Sequence, residues 1–220
     1  MNKRILYYGG ILGPIVFLLN DIIGSIITQG YNPIINAVSE LTQAGSEYIC
    51  LLGSLFFISA IMLSVFGIGV VTHYMCRNSE LLLLGGIFII FLGLFSALSG
   101  TIFPMDPFNA ETTFAGRMHI ILTGLNIILI VLAIPMIGIG FYRTHQWKSF
   151  RLYSIISVLI MLVFGASTAV LMTNDIKLLG LFERITIYSY QLWIFVLANK
   201  LITDKGFEKR IEEKQVKSKS

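Results

Sequence analysis

The chain has 220 residues, of which 55% are hydrophobic and only 13% charged, whereas soluble domains carry about 25% charged residues. Sixteen Lys and Arg with twelve Asp and Glu are too few to wet the outside of a globule of this size, so the outer solvent must be lipid. The formal charge of +4 does not point to nucleic acid, because the basic residues sit at segment ends and form no stripe interleaved with aromatics.

A helix needs about 20 apolar residues to cross hydrocarbon, and six stretches are long enough. In chain order they are 5–28, interrupted only by Asp21; 48–73; 81–103; 118–142; 152–174; and 185–203, interrupted only by Lys200, which can snorkel to an interface. The predicted architecture is therefore all-α, a compact bundle of six transmembrane helices over residues 1–203. The basic tail 204–220 has few apolar residues and is expected to be disordered in the cytoplasm. Met1-Asn2-Lys3-Arg4 carries the charge of a secretory signal. No short apolar run ending in a small-x-small site precedes Asp21, however, and the segment reads as a retained first helix.

Thirteen Lys and Arg fall on the side of the N-terminus, the Arg77 turn, the Arg143–Arg151 loop and the tail, and three (Arg117, Lys177 and Arg184) on the other. The positive-inside rule then places both termini in the cytoplasm. On the opposite side, 29–47 and 104–116 form the longer loops, so function is expected at the outer face. Cys50 and Cys76 lie near opposite ends of one span, about 39 Å apart at the helical rise, which excludes a disulfide within the chain.

Lipid tails give helices no hydrophobic reason to associate, so close packing requires small residues. They are present at Gly9 and Gly13, Ala60 and Ser64, Gly93 and Ala97, Ser96 and Gly100, and in the run Gly165–Ala169. Such faces serve contacts within and between chains alike and leave the oligomeric state open. Pro14 and Pro135 fall inside spans and shape them.

A carboxylate within a span costs on the order of 2.5–3.5 kcal/mol when central, so Asp21 calls for a partner or for an interface within reach. His119, Thr123 and Asn126 follow i, i+4, i+7 spacing, as do Arg184, Tyr188 and Gln191, giving two polar stripes that descend from the outer end. The loops above them add Ser39, Glu40, Asp106 and Glu111. The candidate site residues are Asp21, Ser39, Glu40, Asp106, Arg117, His119, Glu183, Arg184 and Tyr188. Two readings compete for them. In one, ion pairs and caps tie the loops to the helix ends; in the other, they line an outward-facing polar pocket for a lipid headgroup or small amphipathic ligand.

A small-molecule transporter or substrate-capturing subunit is an alternative, as is a lipid-modifying hydrolase or transferase with a carboxylate or His119 as general base. No catalytic residue, cofactor or metal is assigned. His pairs at ligand spacing are missing, no G-x-S-x-G surrounds Ser39, and no phosphate-cradling loop is present.

At the same polar positions the sequence resembles an uncharacterised bacterial and archaeal membrane family catalogued as domain of unknown function 998. The elements that carry the resemblance are Tyr31-Asn32-Pro33 with Ser39-Glu40-Leu41, Phe103-Pro104-Met105-Asp106-Pro107, His119, and Gly180-Leu181-Phe182-Glu183-Arg184. The family pattern has Gly after Ser-Glu-Leu, where this chain has Thr42. The resemblance spans nearly the whole chain. It implies a six-helix fold in a prokaryotic cell membrane and a set of positions, with no activity attached.

Overall fold

A computed structural model describes residues 3–77, 79–108, 110–141, 147–173 and 177–204. The expected disordered tail beyond residue 204 lies outside the described residues. After a 3-10 turn at Lys3–Tyr8 come six helices: α1 Gly9–Ile27, α2 Ile49–Arg77, α3 Glu80–Thr101, α4 Phe114–Gly140, α5 Lys148–Thr173 and α6 Leu179–Thr203. All six are long and apolar enough to cross a membrane. Among the described residues there is no strand.

Each helix packs chiefly against its neighbours in the chain, and α6 returns to α1, so the six close a ring in sequence order. The loops after α1 and after α3 share one end of this ring, the long-loop end, and the first and last described residues, Lys3 and Asp204, share the other.

Small residues bring the helices together, as lipid solvation requires. Ser59 Oγ on α2 donates to the Gly13 carbonyl of α1 (2.8 Å), and Ser64 Oγ donates to the Ile90 carbonyl of α3 (3.0 Å). At Gly93 the approach is close. A Cβ there would lie 2.5 Å from the Ala60 carbonyl oxygen and 2.7 Å from the Ser64 nitrogen, so any side chain would force α3 away from α2.

Side chains fill the ring at the terminal end. Tyr7, Phe66, Ile137, Phe141, Trp147, Phe150 and Trp193 form one buried cluster. Phe141 and Trp147 stack with centroids 3.9 Å apart, and Trp193 Nε1 donates to Ser154 Oγ at 2.9 Å. Lys200, expected to snorkel, lies with its ammonium 5.3 Å above the Trp147 ring.

Three helices begin earlier than the charge-free stretches suggest: α4 at Phe114, α5 at Lys148 and α6 at Leu179. A hydropathy boundary stops at a charge, but a helix stops where its N–H groups find other acceptors. Thr113 supplies one such acceptor for α4, its Oγ1 taking the Gly116 N–H at 3.1 Å. For α6 the early start carries Glu183 and Arg184 inside the helix.

Candidate functional site

Asp21 lies on α1, two turns from its long-loop end, and Arg184 lies in the second turn of α6. Ring closure places them face to face. Arg184 Nε donates to Asp21 Oδ2 at 3.0 Å and Nη2 to Oδ1 at 2.7 Å, a bidentate ion pair whose side chains are 9% and 4% exposed. Two charges buried this deeply offset their desolvation only with good geometry and further hydrogen bonds. Those bonds are present. Nη2 also donates to Tyr31 Oη (2.7 Å), and Nη1 reaches the carbonyls of Pro33 (2.6 Å), Asn36 (3.0 Å) and Gly180 (3.3 Å). Tyr188, one turn beyond Arg184, donates its hydroxyl to Asp21 Oδ2. Every N–H of the guanidinium is thus engaged within the protein.

Tyr31 holds the other side of this contact. Its hydroxyl accepts from Arg184 and donates to the Ala37 carbonyl at 2.7 Å. Burial pushes the phenol above its ordinary range, against the lowering effect of the guanidinium 5.6 Å from its ring.

The same loop caps α6. The N–H groups of Gly180 and Leu181, left over at the helix start, donate to the carbonyls of Ile35 (3.2 Å) and Ile34 (3.0 Å). Only glycine allows the loop this close at position 180, since a Cβ would collide with the Asn36 carbonyl and lie 2.6 Å from that of Pro33. In return, Glu183 Oε2 accepts the Val38 N–H at 2.6 Å. Glu40 accepts from the Ala37 N–H (2.7 Å) and from Asn36 Nδ2 (2.8 Å), which fixes the 3-10 turn Val38–Thr42.

The remaining candidates form a second group on α3, α4 and the loop between them. Asp106 accepts the Thr113 N–H (2.8 Å) and the Thr113 hydroxyl (2.7 Å), bracing the start of α4. His119 is 9% exposed, and its Nδ1 lies 3.0 Å from the carbonyl oxygens of both Ser99 and Phe103. Seven residues further along the same face, Asn126 Nδ2 donates to Ser96 Oγ at 3.2 Å. Ser39 Oγ donates to Met105 Sδ at 3.2 Å, linking the two loops. Arg117 is exposed and joins neither group.

The expected single network is therefore two. Asp21, Glu40, Glu183, Arg184 and Tyr188 assemble with Tyr31; Asp106 and His119 assemble elsewhere. The α4 stripe also divides, because Thr123 is exposed, about 40° round the helix from His119 and outside the narrow face that meets α3. Sequence reasoning missed the carbonyls of Pro33 and Asn36 as ligands of Arg184, since a backbone acceptor leaves no side-chain signature.

One polar demand remains unmet. Among the described residues, the buried side-chain oxygens with no hydrogen-bond partner are Asn20 Oδ1, Thr28 Oγ1 and Asn126 Oδ1, all in the half of the ring towards the long loops. No three His, Cys, Asp or Glu side chains gather there as a metal set, again among the described residues.

Six membrane-crossing helices closed into a ring, with loops latched over one end, define a multi-pass integral membrane protein. Residues 11–200 match the family described as protein of unknown function (DUF998), and the chain belongs to that family. Neither the curated proteins nor the solved structures contain a match. Two of the motifs that carried the resemblance, Tyr31-Asn32-Pro33 and Gly180 to Arg184, turn out to be the two halves of one contact.

Proposed function

We propose that the protein binds a lipid headgroup or small amphipathic ligand in the long-loop half of the ring, with that end outward, both termini cytoplasmic, in a prokaryotic cell membrane. The observation that carries this reading is that two buried amide oxygens, Asn20 Oδ1 and Asn126 Oδ1, accept from no described residue. Leaving an acceptor buried and unpaired costs about 1–3 kcal/mol, a cost that a ligand's hydrogen-bond donor removes. Arg184 and Asp21 serve this site indirectly. Because their hydrogen bonds are satisfied within the protein, they act as a latch that holds the first loop on α6 and leave ligand contact to the uncharged groups.

Native mass spectrometry and lipid extraction of gently purified protein test the proposal, with Asn20→Leu and Asn126→Leu as variants. The wild type should retain a defined small amphipathic molecule, and each variant should lose it while folding as well as or better than the wild type. A wild type that carries nothing, with variants that differ from it only by greater stability, would refute ligand binding.

A further inference from the structure

Arg117 joins neither polar group, and its place on α4 explains why. With successive residues about 100° apart, the buried residues His119, Leu122 and Ile137 gather on the side of α4 that meets the ring. Arg117 lies on the opposite side. Ile120, Ile121, Gly124, Ile128 and Leu132 continue along that side, all within about 60° of Arg117 and all exposed. In a helix that crosses lipid, this is the side that lipid covers.

The depth of Arg117 follows from helix length. α4 has 27 residues, about 40 Å at the helical rise, against a hydrocarbon core of about 30 Å. Centred and upright, the helix passes the core by about 5 Å at each end. Arg117, in the first turn, then stands at the hydrocarbon boundary. A helical side chain leans towards the N-terminus of its helix, so the guanidinium is carried into the headgroup layer.

A cation at that level calls for a counter-charge. Among the described residues the Arg117 side chain has no hydrogen bond and no ion pair. Asp106 is spent on Thr113, and Glu111, exposed in the loop, forms no ion pair with it. Arg184 has Asp21 because it faces into the ring; for Arg117, facing lipid, the anion within reach is a lipid phosphate. Phosphatidylcholine and phosphatidylethanolamine carry an ammonium beside the phosphate. An acidic phospholipid lacks it, so its phosphate keeps the charge that Arg117 complements. Two turns along, Gly124 interrupts the exposed apolar line, and a Cβ there would meet nothing within 4 Å. The missing side chain leaves a recess where an acyl chain can lie against the backbone, as small residues let neighbouring helices do.

We infer that the lipid-facing side of α4 holds an acidic phospholipid, with its phosphate on Arg117 and an acyl chain across Gly124. This site goes beyond the ligand reading above, because it faces the bilayer and not the ring.

The test titrates full-length protein in detergent with phosphatidylglycerol, phosphatidylcholine and diacylglycerol of the same acyl chains, and native mass spectrometry counts the lipid retained. The wild type should hold phosphatidylglycerol about tenfold more tightly than either of the others, the worth of one charge-assisted hydrogen bond. Arg117→Gln should remove that preference. Lys177→Gln, which removes another exposed cation at the same end, should leave it in place. Gly124→Leu fills the recess without crowding a neighbour, so it should stay folded by circular dichroism and bind phosphatidylglycerol about threefold more weakly. Asn20→Leu and Asn126→Leu, which probe the ring, should leave this binding unchanged. Equal retention of the three lipids overturns the inference. Equal losses in Arg117→Gln and Lys177→Gln also overturn it, since the attraction would then be one of overall charge. Binding indifferent to Gly124→Leu overturns the seat of the acyl chain. Phosphatidylglycerol lost in Asn126→Leu and kept in Arg117→Gln overturns the inference and leaves the ring ligand standing.

Discussion

Breaking one side of the Asp21–Arg184 pair should cost far more than breaking both. Arg184→Met leaves the Asp21 carboxylate, 4% exposed, with the Tyr188 hydroxyl as its one donor among the described residues, and removes the donor that held the Pro33 and Asn36 carbonyls. An uncompensated buried charge of this kind costs about 3–5 kcal/mol, and Asp21→Leu strands the guanidinium in the same way. The double variant buries neither charge of the pair. Its cost should be no greater than that of either single change, which amounts to a coupling of about 3 kcal/mol or more between the two positions. The measurement is reversible unfolding in mixed micelles, followed by circular dichroism, on all four members of the cycle. Hydrogen exchange over residues 31–42 should rise in both single variants, because the loop loses its anchor. Costs that add to within about 0.5 kcal/mol would refute the latch, and so would an unchanged exchange rate in that loop.

Three further outcomes follow from individual contacts. Gly93→Ala should lose about 1–3 kcal/mol by forcing α3 off the Ala60 carbonyl, whereas Gly124→Ala, where a Cβ meets nothing within 4 Å, should gain up to about 1 kcal/mol from helix propensity, both read by the same unfolding assay. Asp106→Ala should cost about 0.5–2 kcal/mol and raise hydrogen exchange over the first turn of α4, since it removes both acceptors that hold Thr113. Burial raises the Tyr31 phenol, so the stability it contributes is complete below the unfolded value of 10.0 and is lost as pH climbs towards the raised one. Tyr31→Phe should accordingly flatten the alkaline limb of the stability–pH curve, and an identical limb would contradict the role given to this residue.

Much of the fold was readable because a membrane span is a local property. The number of contiguous apolar residues decides it, and the six spans appear as six helices, with the small residues at Gly13, Ala60, Ser64 and Gly93 placed where helices meet. Helix starts were less legible. At α6 a charged residue, read as an end, is carried into the helix because it is neutralised from across the ring. Within the site, Asp21, Glu40, Glu183, Arg184 and Tyr188 were singled out as polar groups at one end, and they do meet. Asp106 and His119 were assigned to the same cluster and belong to another, since residues that share a depth in the membrane need not share a side of the ring.

The sequence by itself determined that the protein lives in lipid, how many times it can cross, and that a carboxylate in the first span demands compensation. It could not name the partner. Asp21 and Arg184 are separated by 163 positions, and their meeting depends on α6 closing against α1, which is a property of the whole ring. The tertiary structure alone decided which backbone carbonyls complete the guanidinium, which carbonyls meet His119 Nδ1, and which amide oxygens among the described residues are buried without a partner. These are questions of direction and distance, whereas hydropathy records only amount.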